Sequence, residues 1–319
     1  MSPINIKTRG AGDRFVGRED KLRELAESLD SGQAVAISAL TGMGGIGKSE
    51  LALQYALKSH EVGKYPGGIC WLEVRAQNPG LQIVEYGRAH LGLADKIPDG
   101  ELQTQVDFCY RNWRQGEALI VFDDVVDYDE IKPYLPPIEP RFRVLLTTRK
   151  KLGSPVQRLD LDVLSLPDAM ALLTKYVTDG RVTQEKETAE KLCEWLGCLP
   201  LAIEIMGRYL AEDEDLSLGE LLSELQEVRL EADIFQTKYP EMTATREVVA
   251  AFELSWQRLS ETGQELARLL SLFAAAAIPW ELVEDTEIFE KRALRNARKE
   301  LVKLNLLKRT AEKAMSCIL

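Results

Sequence analysis

The sequence predicts an α/β domain, a parallel sheet with helices on both faces, followed by an all-α helical domain and a winged-helix domain. Three observations carry this expectation. Apolar β-favouring runs alternate with helix-favouring runs from residue 34 to about residue 161, the pattern of a parallel sheet covered on both sides. From about residue 182 the strand signal disappears and helical stripes remain. Three late helices then lead into a short strand-like end at residues 306–310, the order of helices and wing.

The bulk composition narrows the classes. With 319 residues, of which 45 % are apolar, the chain can bury two or three cores. A formal net charge of −11 argues against general nucleic-acid binding. No apolar run approaches the roughly 18 residues of a spanning helix, and residues 1–13 are polar, so the expected location is cytoplasmic with no membrane partner. Cys70, Cys109, Cys193, Cys198 and Cys317 show no C-x-x-C pair, and the only histidines are His60 and His90. Reduced thiols without structural zinc are expected.

In order along the chain, a helix is expected from Glu19 to about Leu29, with Leu22, Leu25 and Leu29 on one face. The run Ala34-Val35-Ala36-Ile37-Ser38 reads as the first strand, and residues 50–57 as a helix. Between them lies Gly42-Met43-Gly44-Gly45-Ile46-Gly47-Lys48-Ser49, which meets G-x-x-x-x-G-K-[ST] in the strand–loop–helix context of a P-loop. Glycines let backbone N–H groups turn toward a phosphate, and the helix N-terminus adds its positive dipole end. Residues Gly42, Gly44, Gly45, Ile46, Gly47, Lys48, Ser49 and Glu50 are therefore the expected phosphate-binding stretch. Lys48 is expected to neutralise β- and γ-phosphates and Ser49 to hold Mg²⁺.

Further strands are expected at residues 68–74, 118–122, 143–149 and near 156–161, with helices at 81–91, 102–113 and 168–178. The run Ala118-Leu119-Ile120-Val121-Phe122 ends in Asp123-Asp124, a Walker B pattern that brings carboxylates to the sheet edge where the P-loop opens. Asp123 is expected to orient Mg²⁺ and Asp124 to polarise an attacking water. Arg149, at the end of the next strand, is placed to sense a γ-phosphate. Four prolines make residues 133–140 an extended loop.

Helices are expected at 184–196, 199–212 and 218–228, with a rigid corner at Gly197-Cys198-Leu199-Pro200. The acidic run 212–215 reads as a solvated loop and residues 230–245 as a linker. Beyond it, Val249, Phe252, Trp256 and Leu259 form one stripe, and Thr262 with Glu265 a capping box for the next helix. A helix at about 287–304 turns Leu294, Ala297, Leu301 and Leu304 inward and Lys291, Arg292, Arg295, Arg298 and Lys299 outward.

Taken together, these motifs resemble the NB-ARC class of STAND P-loop NTPases, the nucleotide switches of plant disease-resistance and apoptosome proteins and of many bacterial regulators. Phe15-Val16-Gly17-Arg18-Glu19 matches its leading motif, residues 42–49 its P-loop, Asp123-Asp124 its Walker B pair, Thr147-Thr148-Arg149 its sensor, and residues 197–202 its Gly-Leu-Pro-Leu-Ala motif with one residue inserted. The resemblance implies adenine contacts from Val16 and Arg18, and Pro200 packed near the base and sugar. It implies a flexible lead (1–14), a nucleotide-binding domain (15–163), a helical domain (164–240) and a winged-helix domain (241–319). It also implies a switch closed on ADP that exchanges to ATP, self-associates, and resets by slow Mg²⁺-dependent hydrolysis, working with sensor and effector domains or proteins outside this chain. The family's Met-His-Asp latch has its counterpart at Met315-Ser316-Cys317, where Ser316 offers a hydroxyl in place of the imidazole that touches the ADP β-phosphate. Two other readings compete. The basic helix face would suit a DNA-binding regulator, and the P-loop would suit a continuously cycling AAA+ ATPase.

Overall fold

A computed structural model describes residues 2–6, 11–32, 34–39, 44–150, 156–238, 246–273, 278–304, 306–309 and 314–317. Its chain forms two compact units, the first from residues 1–12, 18–42 and 48–162 and the second from residues 13–17, 43–47 and 163–319.

In the first unit the apolar runs become β1 (Val35–Ala39), β2 (Gly68–Glu73), β3 (Ala118–Val125), β4 (Phe142–Thr148) and β5 (Gln157–Leu161). All pair in parallel, in the order β2-β3-β4-β1-β5. Successive residues Leu119, Ile120, Val121 and Phe122 are all fully buried, so both faces of β3 are covered and its sequence reads as an unbroken apolar run. The connections include α1 (Glu19–Asp30), α2 (Lys48–Glu61), α3 (Pro79–His90), α4 (Leu102–Arg111) and a short α5 (Tyr128–Ile131). Because β4 lies between β1 and β3, the strand leading to the P-loop and the strand carrying Asp123 and Asp124 flank the strand that leads into Arg149.

Three local features depart from expectation here. Residues read as a flexible lead lie along the edge of β2: Ile4 bridges Ile69, and the Asn5 side chain accepts from the Trp71 N–H at 2.7 Å and donates to its carbonyl at 2.9 Å. An edge strand offers unpaired backbone groups, and an amide side chain can satisfy both without any periodic pattern in the sequence. Residues 132–134 form a 3₁₀ turn with Pro133 in its first positions, overlapping the start of the stretch 133–140 read as extended loop. Strand β3 continues through Asp123 and Asp124 to Val125, with its register against β4 shifted between Phe122 and Val125.

The second unit contains α6 (Leu166–Tyr176), α7 (Arg181–Gln184), α8 (Lys186–Trp195), α9 (Pro200–Ala211), α10 (Leu218–Lys238), α11 (Arg246–Gln257) and α12 (Glu261–Leu270). It ends with β6 (Ile278–Pro279), α13 (Trp280–Glu284), α14 (Lys291–Lys303), β7 (Leu307–Arg309) and β8 (Ala314–Cys317). The three strands form an antiparallel sheet in the order β6-β8-β7. One continuous apolar core runs from Leu164 to Met315 and includes Leu221, Leu225, Ala250 and Leu254.

Several sequence readings are corrected in this unit. Helix α10 runs on to Lys238, so most of the stretch read as a linker is helical up to that point; no Gly or Pro interrupts residues 220–238, and nothing local stops the helix. The capping box is not at Thr262 and Glu265. Ser260 is the N-cap and accepts from the Gly263 N–H at 3.1 Å, and since Gly263 has no side chain to reach back, Glu300 from α14 accepts from the Ser260 N–H at 3.2 Å and its hydroxyl at 2.7 Å. The acidic run is also not simply solvated: Glu212 pairs with Lys303 at 2.7 Å and Asp213 with Arg258 at 3.1 Å. On α14, Arg298 lies over the Trp280 ring at 4.7 Å and leaves the basic face, while Lys291, Arg292, Arg295 and Lys299 are exposed.

Candidate phosphate and nucleotide site

The loop before α2 is built from glycines because its backbone needs them. Gly45 has φ +77° and Gly47 φ +99°, conformations that side-chain-bearing residues rarely adopt. Buried Ile46 anchors the loop between them. Gly42 lies outside the described residues, and Gly44 begins the described part of the loop. The chain then enters α2 at Lys48, so the positive dipole end of a helix follows directly on the glycines.

Within the first unit, polar side chains converge at the carboxyl ends of the strands. Ser49 Oγ donates to Asp123 Oδ1 at 2.6 Å, and Thr147 Oγ1 donates to the same oxygen at 2.5 Å. Thr147 Oγ1 in turn accepts from the Asp124 N–H at 2.8 Å, so one buried hydroxyl ties the two acids together. Burial drives the Asp123 carboxyl above the usual range, against the lowering effect of its bonds from Ser49 and Thr147. Lys48 is buried too, and its ammonium is pushed below the ordinary lysine value first by desolvation and then by the charge of Arg149, with Asp124 and Asp123 opposing.

Asp124 sits in the left-handed region at φ +56°, where β3 breaks register, and its carboxylate meets two arginines. Arg149 Nε lies 3.6 Å from Oδ1 and Arg75 Nε 3.4 Å from Oδ2. The remaining expected residues of this unit have different partners. Arg18 is buried and donates to the Asp162 carbonyl at 2.6 Å. Glu50 accepts from the Ala11 N–H at 2.6 Å and from Gln54 Nε2 at 2.8 Å, which ties the leading segment to α2.

In the second unit, Val16 packs against the apolar core, and Gly17 stands at φ +66° where a Cβ would come within 2.3 Å of Asp168. Pro200 occupies the first turn of α9. That helix starts from a Schellman corner: the N–H of Cys198 bonds to the Cys193 carbonyl and that of Gly197 to the Glu194 carbonyl, both at 2.9 Å. Its N-cap, Leu199, supplies no side-chain bond, and the Leu201 N–H donates to the Gly45 carbonyl at 3.2 Å. Ser316 is described only through its backbone, which pairs with Lys308 in β7. The sequence reading missed Arg75, which belongs to no motif; the usable signal was its position two residues past the end of β2, at the same sheet edge as Asp124.

The donor set fits a magnesium–phosphate group. A hydroxyl and a carboxylate, hard oxygen ligands, are already within 2.6 Å of each other beside two cations. Among the described residues no cluster of three or more His, Cys, Asp or Glu could hold a metal. Also among the described residues, no helix is long and apolar enough to cross a membrane.

The chain is similar to several known proteins. The model of the NB-ARC domain family matches residues 18–183. The regulatory protein AfsR of Streptomyces coelicolor is 30 % identical over 296 residues, covering 86 % of this chain and 29 % of AfsR. A probable disease resistance protein of Arabidopsis thaliana is 29 % identical over 238 residues, covering 68 % of this chain and 26 % of that protein. The crystal structure of a Signal Transduction ATPase with Numerous Domains from Pyrococcus horikoshii, which carries a tetratricopeptide repeat sensor, aligns with TM-score 0.58 at 18 % identity, covering 99 % of this chain and 42 % of that one. The chain thus spans less than a third of the length of these curated relatives.

Proposed function

The chain belongs to the NB-ARC family of nucleotide-binding STAND NTPases, and from that premise we propose that it is an ADP/ATP switch of a signalling regulator. The observation that carries the reading is the hydrogen-bonded set Ser49–Asp123–Thr147–Asp124 with Lys48 and Arg149 beside it.

In this reading the glycine loop and Lys48 bind the phosphates, and Ser49 with Asp123 holds Mg²⁺. The ion, when bound, supplies charge neutralisation at the phosphate oxygens. Asp124 orients the attacking water and takes up its proton, and Arg149 reads the γ-phosphate. Val16, Arg18 and Pro200 border the base and sugar, and Ser316 stands in for the latch histidine. Residues 15–163, 164–240 and 241–319 work as nucleotide-binding, helical and winged-helix domains. The switch is closed with ADP and self-associates with ATP in the cytoplasm, under sensor and effector elements outside this chain. Hydrolysis is slow and serves as reset.

The test is to denature the purified protein and identify the released nucleotide by chromatography. Stoichiometric ADP supports the closed switch; a protein that neither carries nor binds adenine nucleotide refutes it. The exposed residues Lys291, Arg292, Arg295 and Lys299 favour a second reading, a DNA-binding regulator. Absence of a gel shift at low salt would discard that one.

A further inference from the structure

Asp124 is the only residue of β3 with a positive φ among those described, and its backbone is pinned there by the bond from its N–H to Thr147 Oγ1 at 2.8 Å. Pinning aims the side chain off the carboxyl edge of the sheet. In the strand order, β3 is flanked by β2 and β4, and each neighbour delivers one arginine just past its last residue. Parallel pairing of β2 with β3 extends one step beyond the strand through the bond from the Val74 N–H to the Asp123 carbonyl at 3.0 Å, and Arg75 follows immediately. Arg149 follows Thr148 in the same way on the other side. The carboxylate is therefore bracketed, with Oδ2 assigned to Arg75 at 3.4 Å and Oδ1 to Arg149 at 3.6 Å.

The two arginines are not equivalent. Strand β4, which leads into Arg149, lies next to β1, the strand that leads into the glycine loop, whereas β2 is the far edge strand, so Arg149 stands on the P-loop side of Asp124 and Arg75 on the side away from it. An arginine shared between a carboxylate and a phosphate has to leave one for the other, and leaving a part-buried carboxylate without a counter-charge is costly. Asp124 has a side chain 30 % exposed, so solvent compensates it only in part.

We infer that Arg75 is a positioning residue that holds Asp124 from the side opposite Arg149, so that Arg149 can turn to a γ-phosphate without stranding the carboxylate. Resting on the nucleotide-switch reading, this makes Arg75 a determinant of ATP over ADP. It acts through Asp124 and Arg149, and not by touching phosphate itself.

The experiment is equilibrium binding of a non-hydrolysable ATP analogue and of ADP, each with Mg²⁺, to the full chain. Arg75→Ala should weaken the analogue about tenfold while ADP changes less than about twofold, because Arg149 is then retained by Asp124. Arg75→Lys keeps the charge and should restore the analogue to within about threefold of wild type. Asp124→Asn placed in the Arg75→Ala background removes the carboxylate that holds Arg149 and should recover analogue binding. Equal weakening of both nucleotides, no weakening, or no recovery in the double variant overturns the inference. A wild-type chain that binds neither nucleotide overturns the switch reading itself, an outcome distinct from those three. The half-exposed Arg75 side chain makes loss of folding an unexpected result, and unchanged thermal midpoints of the ligand-free variants serve to check it.

Discussion

The N–H of Leu201, second residue of α9, donates to the carbonyl of Gly45 in the glycine loop. A helix start leaves its first N–H groups without intrahelical partners, and here the N-cap Leu199 cannot supply one. The loop backbone does so instead. Contact is close enough that a Cβ on Gly45 would lie 2.9 Å from the Leu201 Cβ.

Gly45→Ala should therefore cost more than Gly47→Ala. Both substitutions incur the strain of a positive φ, roughly 1–2 kcal/mol, but a Cβ on Gly47 meets nothing within 4 Å. Overpacking against Leu201 adds about 1 kcal/mol or more at Gly45. Urea denaturation of the two ligand-free variants measures the difference, and equal midpoints would contradict the packing argument.

Lys48→Arg should impair nucleotide binding on the order of a hundredfold, since a buried point charge is replaced by a larger planar group. Asp124→Ala should leave binding intact and favour the ATP state, because it frees Arg149. Fluorescent-nucleotide titration and size-exclusion chromatography read the two effects. Unchanged affinity in the first variant and unchanged assembly in the second would contradict the assigned roles.

Asp123 sets a pH dependence with a definite sign. Its folded-state pKa lies above the unfolded value of about 4, so the native state binds more protons in that window and loses stability as pH rises through it. Asp123→Asn removes the titration. Its thermal midpoint, relative to wild type without ligand, should increase from the low end of that window toward neutral pH, and it should lose the stabilisation that Mg²⁺ with nucleotide provides. A difference that stays flat across pH would show that Asp123 does not titrate as its burial requires.

Glu300→Ala should destabilise the start of α12 by about 1–2 kcal/mol, because Ser260 loses the acceptor for both its N–H and its hydroxyl. Gly263→Ala should destabilise the same helix start by a different route, since a Cβ at Gly263 would sit 2.8 Å from the Glu300 carboxylate and force it to move. Chemical denaturation of the two single variants tests both statements.

Much of the fold was legible because its signals are local. The glycine spacing of residues 44–47 with Lys48 and Ser49, the apolar run into Asp123-Asp124, and the polar end of β4 each report a strand or helix start directly. Several of the misread features depend on partners that lie far away in sequence. Residues 2–6 have no pattern of their own and are held by the edge of β2. The cap of α12 is completed by Glu300, and the acidic loop after α9 is paired with Arg258 and Lys303.

The sequence by itself determined the parallel α/β class, the helix-rich second half, and the glycine loop that runs into a helix start at Lys48 and Ser49, because hydrophobic period and glycine chemistry act over a few residues. Only the tertiary structure decided the company those side chains keep. That Thr147 joins Asp123 to Asp124, and that Arg75 and Arg149 bracket Asp124, follows from the order β2-β3-β4, which sets strands side by side that are separated by tens of residues in the chain. Side-chain period is a property of one strand; which strand lies next to it is settled by the packing of the whole sheet.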